Sequence, residues 1–331
     1  MKHSLFTSTL IASAMGFAGM SIAEPAVVFD LGGKFDKSFN EAAYTGAERW
    51  ASETGGTYAN FEISSDAQRE QAIRRFAETG KSPIVVAGFA WAAALDTVAP
   101  VYPDTDFVII DMVVDQPNVR SVVFNEHEGS YLVGLMAGMA SETDVVGFIG
   151  GMDIPLIRKF GCGYAEGVLA ANADATVITN MVGTTPSAWN DPIKGSELTL
   201  AQISQNADVV FAAAGGTGVG VLQTATDQDI LSIGVDSNQN YLHPGQVLTS
   251  MVKRVDNAVF SALKGDGLIA EGINVMGVAN GGVGYTLDEF NDAIVSDDMR
   301  TALVEAEAAI TSGALVVHDY MSNESCPFVQ F

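Results

Sequence analysis

The chain has 331 residues, 48% of them hydrophobic and 17% charged, a balance that excludes a disordered polymer. Forty acidic residues against sixteen basic ones give a formal charge of −24, a surface that repels nucleic acid and anionic lipid and removes nucleic acid as a partner. The roughly 300 residues beyond the leader described next suffice for one large or two medium domains, at about 100–200 residues each.

Residues 1–23 read as a cleaved signal peptide. Lys2 and His3 form a short polar head, an apolar stretch interrupted by Ser, Thr and Gly follows, and Ser21-Ile22-Ala23 offers the small residues a signal peptidase reads. A membrane anchor is the alternative. No cysteine lies near this site, so the reading is of an exported, soluble protein without lipid attachment.

Beyond the leader, short apolar, β-branched runs stand at 26–29, 83–87, 106–110, 121–124, 145–149, 176–182, 208–212, 230–235 and 247–252. Segments with helical spacing lie between them at 38–53, 65–79, 89–98, 127–141, 154–171, 190–205, 217–228 and 254–264. Five-residue strands alternating with longer helices predict βαβ units and parallel sheets covered on both faces. The pattern restarts at "TDVVGFIGG", so the expectation is two similar α/β lobes, each with a Gly-rich turn after its first strand. Gly134 and Gly138 sit four apart in "YLVGLMAGMAS"; thirteen or so apolar residues are too few to span a bilayer, so close packing of a core helix on a sheet is predicted. Cys162 and Cys326 are the only cysteines, and an oxidising compartment favours pairing them, with two buried free thiols as the alternative. The four histidines are scattered, which argues against a zinc site, and no metal is expected.

Ligands of parallel α/β sheets bind beyond the carboxyl ends of the strands. The polar and aromatic residues there are Asp30, Asp36, Ser38, Phe39 and Asn40 after the first run, then Phe89 and Trp91, then Asp111. In the second half they are Trp189, Gly215 with Gly216, Asp236, and Lys253 with Arg254. The opening "GGKFDKSFN" matches neither G-x-x-x-x-G-K-[ST] nor G-x-G-x-x-G, and facing carboxylates would penalise a phosphate. Carboxylates with aromatics suit a neutral, flat, polyhydroxylated ligand, because a carboxylate accepts from vicinal hydroxyls or a base edge while rings stack on its faces. A nucleoside fits. Asp30 or Asp36 as a helix cap, and Trp189 as a loop anchor, are the plainer alternatives.

At these residues the chain resembles the BMP family of basic membrane lipoproteins, whose best-described members are purine nucleoside receptors of ABC transporters. "FDLGGKFDKSFNEAAYTG", "VVFNEHEGSYLVGLMAGMAS", "VGFIGGMDIPLIRKFGCGYAEGV", "DVVFAAAGGTG", "IGVDSNQ" and "TSMVKRVDNAV" follow in the family's order. The resemblance implies a type I periplasmic binding protein: two doubly wound parallel-sheet lobes joined by a three-strand hinge, with the ligand clamped between them. It implies a first lobe of 24–142 plus 253–279 and a second of 143–252 plus 280–331. It assigns Asp30, Ser38 and Asn40 to polar contacts, Phe39 and Trp189 to stacking, Asp111 to the base, Asp236 and Lys253 to the ribose, and Gly215 to close backbone approach. The partners it implies are a purine nucleoside and an inner-membrane permease, for a monomer without cofactor. Family members are commonly lipoproteins; without a lipid-attachment cysteine, this chain is expected to diffuse freely in the periplasm.

An enzyme would need a metal cluster or a base–nucleophile pair, and no such spacing stands in the sequence. A binder of a simple sugar or another small polar solute on the same fold is the nearer rival; a nucleoside-processing enzyme is the distant one.

Overall fold

The computed structural model describes residues 23–265, 267 and 269–331. The predicted leader lies outside them, apart from Ala23. In chain order the elements are β1 (Ala26–Phe29), α1 (Phe39–Thr54), β2 (Ala59–Glu62), α2 (Arg69–Glu78), β3 (Ile84–Ala87), α3 (Ala92–Val98), β4 (Phe107–Ile110) and β5 (Val119–Phe124). There follow α4 (Glu126–Ala140), β6 (Val145–Met152), α5 (Pro155–Ala171), β7 (Thr176–Gly183), α6 (Pro192–Ile203), β8 (Val209–Ala213), α7 (Gly218–Asp227) and β9 (Leu231–Asp236). The last are β10 (Val247–Lys253), α8 (Val255–Lys264), β11 (Gly272–Met276), β12 (Val283–Tyr285) and α9 (Asp297–Ser312).

The strands form two six-stranded sheets, ordered β11-β5-β4-β3-β1-β2 and β12-β10-β9-β8-β6-β7. All pairings are parallel except β10 with β12. The central runs AVVF, IVVA and FVII are buried throughout, as strands covered by helices on both faces must be. The fold is thus the two-lobed α/β architecture expected of a type I periplasmic binding protein.

The chain passes between the sheets three times: between β5 and α4 at Asn125, between β10 and α8 at Arg254, and between β11 and β12 over 277–282. Backbone bonds tie these passages together, Asn125 N–H to the Met276 carbonyl and Arg254 N–H to the Gly282 carbonyl, each at 2.8 Å. The lobe boundary expected at 142 moves to Asn125, because α4 packs on α5, α9, β10 and β12 rather than on the first sheet.

That packing also corrects the partner of the Gly134 and Gly138 face, which is a helix and not a sheet. A Cβ at Gly134 would lie 2.2 Å from the Tyr164 carbonyl oxygen, and one at Gly138 2.6 Å from that of Val168, both on α5. No helix among the described residues is long and apolar enough to cross a membrane. Cys162 of α5 is bonded to Cys326 of the tail across a sequence separation of 164, so the free-thiol alternative falls.

Candidate functional site

Between the carboxyl ends of the two sheets lies a cleft lined by residues of both lobes. Eight of the nine candidate residues line it: Asp30, Phe39, Asn40, Asp111, Trp189, Gly215, Asp236 and Lys253. Ser38 does not. Its hydroxyl instead donates across the lobes to Asp236 Oδ2 at 2.5 Å and faces the Val235 carbonyl at 3.4 Å.

The β1–α1 turn is built by two side chains of different duty. Asp36 accepts from the backbone N–H groups of Ser38, Asn40 and Glu41 at 2.8–3.0 Å, satisfying donors at the start of α1. Of the two capping alternatives, Asp36 is the cap and Asp30 is not. Asn40 accepts from Asp30 N–H at 3.1 Å and turns its amide toward the Asp30 and Leu31 carbonyls, so it staples the turn. Asp30 accepts from Arg69 and from Leu31 N–H through one oxygen, each at 2.6 Å. Burial raises the Asp30 carboxyl above its usual range despite Arg69.

Trp189 belongs to the second lobe and packs its ring on bare backbone. A Cβ at Gly151, next to the last residue of β6, would lie 2.2 Å from that ring. Only glycine leaves this space. Phe39 lines the cleft from the first lobe, 5.4 Å from Lys253 Nζ.

Asp111 and Asp236 close the ends of β4 and β9 and are nearly buried. Burial pushes the Asp236 carboxyl up to about 7, outweighing the Lys253 charge and the Ser38 hydrogen bond that both lower it. Burial also raises Asp111, to about 6, although Lys253 stands directly beside it. The two groups expected to act as a pair are therefore differently placed. Lys253 Nζ is ion-paired with Asp111 at 2.7 Å and Glu126 at 2.8 Å, and not with Asp236. Burial disfavours the Lys253 ammonium, but Asp111, Glu126 and Asp236 outweigh this and raise its pKa.

Six further residues matter that the strand-end reading passes over. Leu156, Ile157 and Phe160 line the cleft from the first turns of α5; they follow the first strand of the second lobe, where the lobe symmetry points to them. Arg69, Glu126 and Lys159 stand behind the lining and hold Asp30 and Lys253 in place.

A cleft walled by two α/β lobes, at the carboxyl ends of both sheets and spanned by three chain crossings, defines a solute-binding protein of the periplasmic type. The chain belongs to the Bmp family, PnrA-like ABC transporter substrate-binding proteins, whose profile matches residues 23–317. It is similar to the ABC transporter nucleoside-binding protein BmpA of Lactococcus lactis subsp. cremoris, 31% identical over 317 residues that cover 88% of each chain. It is also similar to an uncharacterized lipoprotein of Pyrococcus horikoshii, 33% identical over 306 residues, 85% of this chain and 75% of the other. Among solved structures, a solute-binding protein of an ABC transporter system from Aeropyrum pernix K1 matches with a TM-score of 0.80 at 27% identity, covering 90% of this chain and 94% of that one. The protein is accordingly the substrate-binding component of an ABC transporter, with a small-molecule ligand and a permease as its partners.

These relatives overturn one expectation. A freely diffusing periplasmic protein without a lipid does not stand beside relatives from Pyrococcus horikoshii and Pyrococcus furiosus that are named lipoproteins. The expectation rests on one local feature, the missing cysteine near Ser21–Ala23, and the lobes that the relatives share carry no information about attachment.

Proposed function

We propose that this receptor binds a purine nucleoside between its lobes, unaltered, and hands it to the permease when they close. The observation that carries the reading is the chemistry of the cleft: aromatic rings from both lobes, Phe39 and Trp189, with carboxylates Asp111 and Asp236 ending strands of opposite sheets. Rings suit a flat base, and carboxylates suit its N–H groups and the ribose hydroxyls. Asp111 with Lys253 is the end for the base or sugar edge that both donates and accepts; Asp236, which has no ion pair among the described residues, is the acceptor for hydroxyls. A phosphorylated ligand is disfavoured, because Asp36 already occupies the N–H groups at the start of α1 that a phosphate would use. The name of the Lactococcus relative, a nucleoside-binding protein, supports the same class. The first lobe is read as 24–124 plus 254–276, the second as 126–253 plus 278–331, and the working unit as a monomer without catalytic activity.

Calorimetry against adenosine, guanosine, inosine, the free bases and a set of monosaccharides tests this directly. Saturable heat with a purine nucleoside is expected. Heat with a monosaccharide and none with any nucleoside would sink the reading and favour the sugar binder.

A further inference from the structure

Behind the cleft lies a run of four buried charges whose inner half the ligand-binding reading does not use. Lys253 Nζ sits 2.7 Å from both Asp111 oxygens and 2.8 Å from Glu126 Oε1. Glu126 Oε2 in turn lies 3.0 Å from Lys159 Nζ, which donates to the Phe124 carbonyl at 2.7 Å. Asp111 and Lys253 line the cleft; Glu126 and Lys159 do not. Glu126 is 1% exposed, the first residue of α4 just past one chain crossing, and Lys253 is the last residue of β10 just before another.

An ammonium has three N–H groups. Asp111 accepts one of those on Lys253, Glu126 Oε1 lies 2.8 Å away as an ion-pair partner, and the rings of Phe39, Phe124 and Phe160 stand 5.0–5.6 Å from the ammonium. Lys253 keeps N–H capacity for a ligand in the cleft it lines. Within this run two carboxylates meet two ammoniums, with Glu126 1% and Lys253 2% exposed. Remove the charge of Glu126 and Lys159 has no carboxylate at ion-pairing distance among the described residues, a buried cation of the kind proteins tolerate poorly.

We propose that Glu126 is a positioning residue of the cleft: by dividing its two oxygens between Lys253 and Lys159, it aims the Lys253 ammonium at the ligand and matches the buried charge of Lys159. Glu126 touches no ligand itself. The choice of probe rests on the nucleoside reading; the charge balance does not.

The test is a charge-compensation set, Glu126→Gln, Lys159→Met and the two combined, in the full chain. Affinity is measured by calorimetry for whichever of adenosine, guanosine and inosine the unaltered protein binds, and melting temperature is measured without ligand. Each single change should weaken binding by about tenfold or more, since each leaves one buried charge unmatched. The combination restores one carboxylate to one ammonium, and affinity should return to within about threefold of the unaltered protein, a coupling that independent sites would not give. The melting temperature should fall in both single variants and recover in the double. A double variant weakened by the product of the single losses would overturn the proposal, as would an unchanged affinity in Glu126→Gln. Were the unaltered protein to bind none of the three nucleosides, the nucleoside reading would fall on its own, and the ligand-free melting series would still decide: recovery in the double supports charge balance, additive loss refutes it.

Discussion

Asp111 and Asp236 hold backbone angles that few non-glycine residues adopt, φ of +73° and +63°, at a cost on the order of 1 kcal/mol or more each. Both are then buried. Two penalties on the same residues are costs to stability that fit the binding role proposed for them. For Asp236 the second penalty depends on pH. Its folded pKa of about 7 lies above the roughly 3.9 of an unfolded aspartate, so its contribution to stability is complete below about pH 4 and is lost as the pH rises through 7. Asparagine has the same outline and tolerates this backbone region. Asp236→Asn should therefore gain stability over the unaltered chain progressively from pH 4 to 7 and then level off, by on the order of 2–4 kcal/mol, while losing nucleoside affinity. Denaturant melts across that range decide it; a variant less stable at pH 8 would mean that the ionised carboxylate is compensated after all. Such strand-end residues are what sequence reading finds well, because the rule that ligands sit beyond the strands needs only strand positions. Arg69, Glu126 and Lys159 escape it. A charge within a helical pattern ordinarily reads as a solvated face, and nothing local says that these three point inward.

At the scale of elements, every apolar run taken as a strand is one, from Ala26–Phe29 to Val247–Lys253; most are core strands with no polar alternation to disguise them, and the half-buried edge strand β7 is found by its apolar, β-branched run. The strands not foreseen lie at sheet edges. β2 carries Asn60 and Glu62 toward solvent, β11 leaves Ile273 and Val275 exposed, and β12 has only three residues. Edges bury less and so demand less of the sequence. The helix α9 is different: Ser296 caps it through its side chain and Gly313 ends it, signals that were legible but that the chain-order reading stops short of. The tail beyond α9 matters to the site through α5. Arg158 of α5 meets Tyr320 Oη at 3.0 Å, Phe331 packs where a Cβ at Gly161 would lie, and Cys326 is bonded to Cys162. Because α4 also grips α5 closely, the tail braces a helix already in place. Cys326→Ser should lower unfolding free energy by about 2–5 kcal/mol and change nucleoside affinity less than threefold. Equal denaturation midpoints for the variant and the unaltered protein would remove the tail's role, and a large affinity loss would move the disulfide into the binding machinery.

At the scale of the molecule, the β1–α1 turn of the first lobe is fastened to the end of β9 in the second. Besides the Ser38–Asp236 bond, Ser237 Oγ donates to the Ser38 carbonyl at 2.8 Å and Gln239 Nε2 to the Lys37 carbonyl at 2.9 Å. These bonds join the lobes in addition to the three passages of chain, the Lys253–Asp111 ion pair and the Lys159 bond to the Phe124 carbonyl. A ligand touching both lobes adds its contacts only when they are together, so it favours the shut form by its differential affinity for that form. The fastening lowers the cost of closing before any ligand arrives. At about 0.5–1.5 kcal/mol net for a hydrogen bond, losing the Ser38 hydroxyl and the Gln239 amide together should shift the closed-to-open ratio of the empty protein by roughly five- to a hundredfold. The double variant Ser38→Ala, Gln239→Ala should thus show a larger radius of gyration than the unaltered protein when ligand-free, and saturating nucleoside should bring the two to the same value. Small-angle scattering with and without nucleoside measures both quantities. Equal ligand-free radii would show that the turn contacts do not hold the lobes, and a variant that stays expanded at saturation would refute closure by the ligand.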